Sequence, residues 1–249
     1  MNKIKIVLIL FSLYIIATLI YYYIKIFTNI IGHHSDGTLR DLRNYRLGDV
    51  IEFDMLRNDK WMPFVYATLF RGSIAHEYIN RTSKSHDYQT LYEIVKERRR
   101  NVKDLAPKNT LIIHIRIGDA IDWEYPDPID DILSGKKPNR YSVSYDYLDQ
   151  KIKMIEHIKD VIIVGGYHTG GDHSRSEEYI SKIEKHLKNK NLNVKTMIKS
   201  HGSSNADQDL IWMSNSEYFV KSNGRFSNLV NRMVEMNGGK ILEPTIIMS

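Results

Sequence analysis

The longest uninterrupted apolar stretch of the chain runs from Ile6 to Ile24 without a charged residue. At about 1.5 Å per residue, a helix of that length crosses a hydrocarbon core of about 30 Å. Because it is apolar on every face and sits at the terminus, it predicts a transmembrane helix rather than a buried core helix. After a short polar linker at 31–37 the apolar positions regroup into shorter blocks, and YRLGDVIEF at 45–53 opens the folded part. From Gln89 to Leu105 the residues Leu91, Ile94, Val95 and Val102 recur at helical spacing, which puts Arg98, Arg99 and Arg100 on a solvated outer side. Pro107 and Asn109 break that pattern before Thr110 to Ile115 (TLIIHI), a β-branched apolar run of strand length. The same reading predicts a helix over Ser144 to Ile158, a strand over Val161 to Val164, a helix over Ser174 to Lys188 and a strand near Val194 to Met197. A short helix at Asp207 to Met213, a strand at Glu217 to Val220 and a helix at Phe226 to Met236 complete the series. Repeated alternation of strand and helix predicts an α/β fold with a parallel sheet covered on both faces. Ligands in such sheets bind beyond the carboxyl ends of the strands, so the loops of interest are 116–119, 165–173 and 222–227.

Composition narrows the function. Lys plus Arg number 35 against 30 Asp plus Glu, a net charge of +5, with 42% hydrophobic and 26% charged residues. That excludes an acidic disordered tail and a strongly basic nucleic-acid arm. The cations are scattered rather than gathered in a stripe, which favours phosphate-bearing small molecules over nucleic acid as partners. The absence of Cys removes a disulfide framework, a thiolate zinc site and a Cys nucleophile.

Flanking residues orient the apolar segment. Lys3 and Lys5 precede it, and Tyr21, Tyr22, Tyr23 and Lys25 close it as an interfacial belt, so the short tail is expected to stay cytoplasmic. A cleaved signal peptide is the alternative, but its apolar region usually spans only about 7–15 residues and no small-x-small site follows here. The expected arrangement is a single-pass type II membrane protein with its bulk lumenal or exoplasmic. The sequon Asn80-Arg81-Thr82 is compatible with that location. The domain reading is a membrane anchor at 1–28, a smaller lobe at 29–107 and a Rossmann-like lobe carrying the parallel sheet at 108–249.

Two loops carry candidate chemistry. HIRIGD, His114 to Asp119, lies at the mouth of a buried strand, where a His, an Arg and an Asp are costly to place unless they meet a ligand or each other. The guanidinium of Arg116 offers paired donors for a diphosphate, and Gly118 would let backbone approach it closely. An Arg116–Asp119 pair that simply pins the turn is the competing reading. SNGRFS, Ser222 to Ser227, falls between a strand and a helix, with Ser222, Asn223 and Ser227 as small hydrogen-bonding groups and Gly224 free to take an unusual φ. Taken alone, this loop is better explained as a plain helix cap.

Together the two loops resemble a known family. HIRIGD looks like the HxRRxD or HxRxGD signature of GT-B-type fucosyltransferases, especially the α1,2 group. Those enzymes carry D-x3-M-S, then an apolar strand, then S-N-S-T-F-S; this chain has Asp209, Met213, Ser214, Phe219 and Val220, then SNGRFS, at matching spacing. The resemblance covers roughly Asn109 to Leu242. It implies a GT-B-like architecture whose C-terminal lobe holds a nucleotide sugar, usually GDP-fucose, with no metal and no cofactor beyond that donor. Carried over by position, it places Arg116 on the diphosphate, His114 by the nucleotide, Ser227 by phosphate, and Asp209 by the nucleotide or capping its helix. Gly118, Asp119, Ser222, Asn223 and Arg225 fall in the same two loops. The chain departs from the family at Ile117, where a second Arg is common, so that one phosphate contact is either missing or supplied from elsewhere, with Arg225 as a candidate. YRLGDV only partly matches the family's Gly-rich GGLGNQ-like segment, and GGYHTGGDH stands where an acidic pair is often found.

The implied reaction is inverting transfer of a sugar, fucose on this resemblance, to a hydroxyl of a glycan or glycoprotein acceptor. A carboxylate or His would take the acceptor proton, with Asp49 and Glu52 on the acceptor side as candidates. Two other readings stand beside it. Asp207 and Asp209 spell D-x-D, which in GT-A enzymes holds a divalent cation against the diphosphate. A non-catalytic glycan- or nucleotide-binding membrane protein would keep the sheet without turnover. His168, Asp172 and His173 have metal-ligand chemistry, but their Gly-rich loop lacks a clear further ligand.

Overall fold

The computed structural model describes residues 9, 11–21, 73–82, 84, 86–123, 126–138, 140–167, 171–199 and 206–242. Strands β1 (Thr110–His114), β2 (Asp160–Gly166), β3 (Asn193–Lys199), β4 (Tyr218–Val220) and β5 (Lys240–Ile241) form one sheet in the order β3-β2-β1-β4-β5. Every pairing is parallel, with Ile112 opposite Ile162 and Phe219, and Ile163 opposite Thr196. Helices α1 (Ile74–Arg81) and α2 (Tyr88–Arg99) precede the sheet. Helices α3 (Asp119–Asp122), α4 (Ile129–Leu133) and α5 (Tyr145–Lys153) connect β1 to β2, and α6 (Ser174–Lys188) connects β2 to β3. Helix α7 (Ala206–Met213) leads from β3 to β4, and α8 (Arg225–Met236) from β4 to β5.

The central strands are apolar on both sides because both sides are covered. Leu111, Ile113, Val161, Ile163 and Val220 face one core, completed by Ile121 of α3, Ile132 of α4, Leu148 of α5 and Ile183 of α6. The alternate positions Ile112, Ile162, Val164 and Phe219 face a second core, closed by Ile74 of α1, Leu91 of α2, Leu210 of α7 and Val230 of α8. Period-two alternation in the strands thus feeds two cores, each paired with a helical stripe. Burying each large aliphatic side chain contributes about 1.5–3 kcal/mol. Polar side chains fix the helix starts: Ser144 Oγ accepts the Tyr147 N–H at 3.2 Å, and Asp87 Oδ1 accepts that of Thr90 at 3.1 Å.

The connections position the site. From β1 to β3 the chain crosses one face, and from β3 to β5 it crosses the other. Adjacent strands β1 and β4 therefore send their following loops to opposite faces. A crevice opens between such strands at their carboxyl ends, the topological switch point where ligands of open parallel sheets bind.

Several elements differ from the sequence reading. Helix α2 stops at Arg99, short of Leu105; Val102 and Leu105 still pack against the core, but from irregular chain. Helices α1, α3 and α4 and strand β5 carry no long periodic pattern, being eight, four, five and two residues in length. The arginine run is not simply a solvated face. Arg98 donates through Nε and Nη2 to Glu77 Oε2 at 3.0 and 2.7 Å, and Arg99 donates to Asn237 Oδ1 at 2.6 Å. Within the expected smaller lobe, α1 and α2 cover one face of the sheet and share its core.

The segment 6–24 is described at residue 9 and residues 11–21. Residues 11–21 are helical, and Phe11, Leu13, Tyr14 and Leu19 are exposed. Among the described residues no helix is long and apolar enough to cross a membrane. The YRLGDVIEF segment, with Asp49 and Glu52, lies outside the described residues.

Candidate functional site

His114 ends β1, and Ser222 follows β4 by two residues. The parallel register that sets Ile113 beside Val220 brings these ends together. Ser222 Oγ lies 3.4 Å from His114 Nδ1. The His114 ring meets Phe226, in the first turn of α8, edge to face with centroids 5.9 Å apart. HIRIGD and SNGRFS, remote in sequence, therefore meet through His114, at the carboxyl ends of β1 and β4.

The second loop differs from a plain capping motif. The residue before α8 is Gly224, at φ +151°, and no side chain caps the helix there. The cap position is thus filled by a residue without a side chain, and neither Ser222 nor Asn223 stands there. Ser227 is 1% exposed, and its Oγ has no hydrogen-bond partner among the described residues. Asn223 and Arg225 are exposed on either side of Gly224.

In the first loop, Arg116 Nη2 donates to Asp119 Oδ2 at 2.7 Å, so the turn-pinning pair is real. The arginine side chain is nevertheless 26% exposed, and its guanidinium carbon lies 5.2 Å from the centroid of the Tyr141 ring. Asp119 is buried, holding Arg116 with Oδ2 while Oδ1 meets no partner among the described residues. It is placed to orient the arginine rather than to face a ligand. Gly118 also departs from expectation. It is needed for φ +71°, and its N–H donates to the buried Ser176 Oγ at 2.9 Å, so that N–H serves the turn and not a phosphate. Ile115 and Ile117 are buried in the core, and a second arginine at 117 would have to enter that core.

The D-x-D carboxylates part company. Asp207 Oδ2 accepts the Ile74 N–H at 2.9 Å, at the start of α1, with Arg98 at 3.8 Å. Asp209 instead forms an ion pair with Lys199 at the end of β3. Burial pushes the Asp207 carboxyl up to about 6 against the opposing pull of the Ile74 N–H. Burial also raises Asp209, opposed by Lys199. Two carboxylates engaged by different elements do not form a cation clamp as they stand, and among the described residues no cluster of three His, Asp or Glu could hold a metal.

Sequence reasoning missed a pair and a cleft. His173 Nδ1 lies 2.8 Å from Asp122 Oδ2, while Asp122 Oδ1 accepts the Ser176 N–H at 2.8 Å; Tyr167 stacks on the histidine ring at 4.0 Å. No local spacing ties His173 to a carboxylate 51 residues away. Beside the β4 loop, a cleft of about 410 Å³ lies between the loop preceding α5 and residues Lys221 and Asn223. Comparison of the chain with protein-family models, with curated proteins and with solved structures finds no match in any of the three.

Proposed function

We propose that this chain is a glycosyltransferase of GT-B-like architecture that transfers a sugar, fucose from GDP-fucose on the motif resemblance, to a glycan hydroxyl with inversion and without a metal. The observation that carries the reading is the meeting of the two motif loops at the β1/β4 switch point, with His114 and Ser222 3.4 Å apart. Phosphate would lie between the Arg116 guanidinium and the first turn of α8, where aligned N–H groups and the helix dipole favour negative charge. In the reaction the bond from the anomeric carbon to the β-phosphate oxygen breaks, and its electron pair leaves with the diphosphate. The acceptor oxygen bonds that carbon from the opposite face and passes its proton to a carboxylate or His. Arg116 stabilises the charge that grows on the leaving phosphate, with Asp119 holding the guanidinium in place. Asp49 and Glu52 remain the proposed bases, the segment 6–24 the proposed membrane anchor, and a lumenal or exoplasmic site the proposed location.

The experiment is a donor screen by thermal shift on the full chain with GDP-fucose, GDP, UDP-galactose and UDP-xylose. A bound donor raises the unfolding temperature in proportion to its affinity, and turnover with a glycan acceptor follows by product analysis. Failure of every nucleotide to bind would sink the reading. A second reading is favoured by the Arg116–Asp119 pair, which satisfies part of the guanidinium without a ligand: a nucleotide-binding protein without turnover, shown by GDP binding and no transfer. Transfer abolished by a chelator would point instead to the metal-dependent GT-A reading through Asp207 and Asp209.

A further inference from the structure

We infer that Arg140 is a second guanidinium of the phosphate site, and that the cleft beside it takes the remainder of the phosphate-bearing ligand. Its guanidinium carbon lies 4.4 Å from the centroid of the Tyr141 ring, the same ring on which Arg116 rests at 5.2 Å. Arg140 also donates to the Tyr141 hydroxyl. Two guanidiniums thus lie against one aromatic ring, and among the described residues Asp119 is the one carboxylate paired with either, through Arg116. Among the described residues Arg140 has no acidic partner. Two guanidiniums at one ring with one carboxylate between them leave positive charge for an anion to answer, and guanidinium forks match the oxygens of a diphosphate.

The surroundings agree in charge and shape. Arg140 and Lys221 line the cleft of about 410 Å³ together with Ser142, Val143, Tyr147 and Asn223, and no carboxylate is among the described residues lining it. The volume falls in the range of small-molecule sites, with the aliphatic and aromatic portions suited to a base and sugar. The Tyr147 hydroxyl donates to the Lys221 carbonyl at 3.1 Å, which ties this wall to the loop that reaches His114. Ile117 is buried and supplies no charge, so the second guanidinium comes from the loop before α5 rather than from the strand. The identity of the ligand as a nucleotide donor rests on the proposed function; the anion site rests on Tyr141 and its two arginines.

The test is titration calorimetry of the full chain in detergent, with inorganic pyrophosphate and GDP as probes. Arg140→Gln should weaken both by about tenfold, and Arg140→Glu should remove both. Because Arg140 is exposed, neither variant should change the unfolding midpoint without ligand. Ser142→Phe, which fills the cleft, should weaken GDP while sparing pyrophosphate. Unchanged affinities in Arg140→Gln overturn the inference, and the donor reading survives that result if Arg116→Ala still loses GDP. Pyrophosphate binding that depends on Arg140, with no nucleotide bound, upholds the anion site and removes the donor reading. A wild-type chain that binds neither probe removes both.

Discussion

Asp119 and Asp122 stand one turn apart on α3, and each grips a side chain from a different loop: Asp119 holds Arg116 at 2.7 Å and Asp122 holds His173 at 2.8 Å. Both carboxylates are buried, with side-chain exposures of 9% and 3%. This four-residue helix is therefore a bracket that sets the loops after β1 and β2 against each other. Buried carboxylates demand such partners, since an unpaired one would lose hydration without recompense.

Arg116→Ala should lower sugar transfer by about 10²–10³-fold, the usual loss for one donor to a developing anion. Its fold should persist, because the arginine is partly exposed and what is lost is its contact with Asp119 and with the Tyr141 ring. The discriminating readout is kcat at saturating donor, together with a far-UV spectrum matching wild type. Asp119→Asn keeps the size of the side chain and should show a milder loss of the same kind.

Asp122→Ala leaves the Ser176 N–H and the His173 ring without their acceptor. Each orphaned group costs about 1–3 kcal/mol. A urea midpoint equal to that of wild type would show that the bracket contributes nothing to stability.

Ile117→Arg separates packing from function. Residue 117 is fully buried in the core beneath α3 to α6, so the charge cannot reach the crevice without opening that core. Expected is a loss of several kcal/mol, enough to unfold a marginal domain, rather than a gain in phosphate affinity. Improved GDP binding in a stably folded variant would contradict this placement.

Asp207 gives a pH signature. Its carboxyl is raised to about 6 in the folded chain, above the ordinary value of about 3.9 when unfolded. The folded state binds that proton more tightly, so its stabilising contribution is full below about pH 4 and is lost as pH rises through about 6. Asp207→Asn retains an acceptor for the Ile74 N–H at the start of α1 and removes the titration. Denaturant unfolding between pH 4 and 7 should therefore fall less steeply with pH in the variant than in wild type; parallel curves would refute the assignment.

The local pattern of the chain determined the order of its elements. Helix α6 spans Ser174–Lys188, as its periodicity predicts, and the β-branched runs around Ile112, Ile162 and Phe219 form the parallel strands. Such elements are legible because each buries a face set by its own spacing. The motifs also marked the loops after β1 and β4 by composition alone. What the sequence could not contain is the pairing of groups far apart along it. Only the switch of faces at β1 and β4 brings Ser222 to His114, across 108 positions, and only the fold sets Asp207 at the start of α1 while Asp209 turns to Lys199 at the end of β3. Likewise, Tyr141 gathers Arg116 and Arg140, and Ser176, 58 positions on, takes the Gly118 N–H. A side chain's partner is chosen by competition among all groups that burial brings within reach, and that competition takes place in three dimensions.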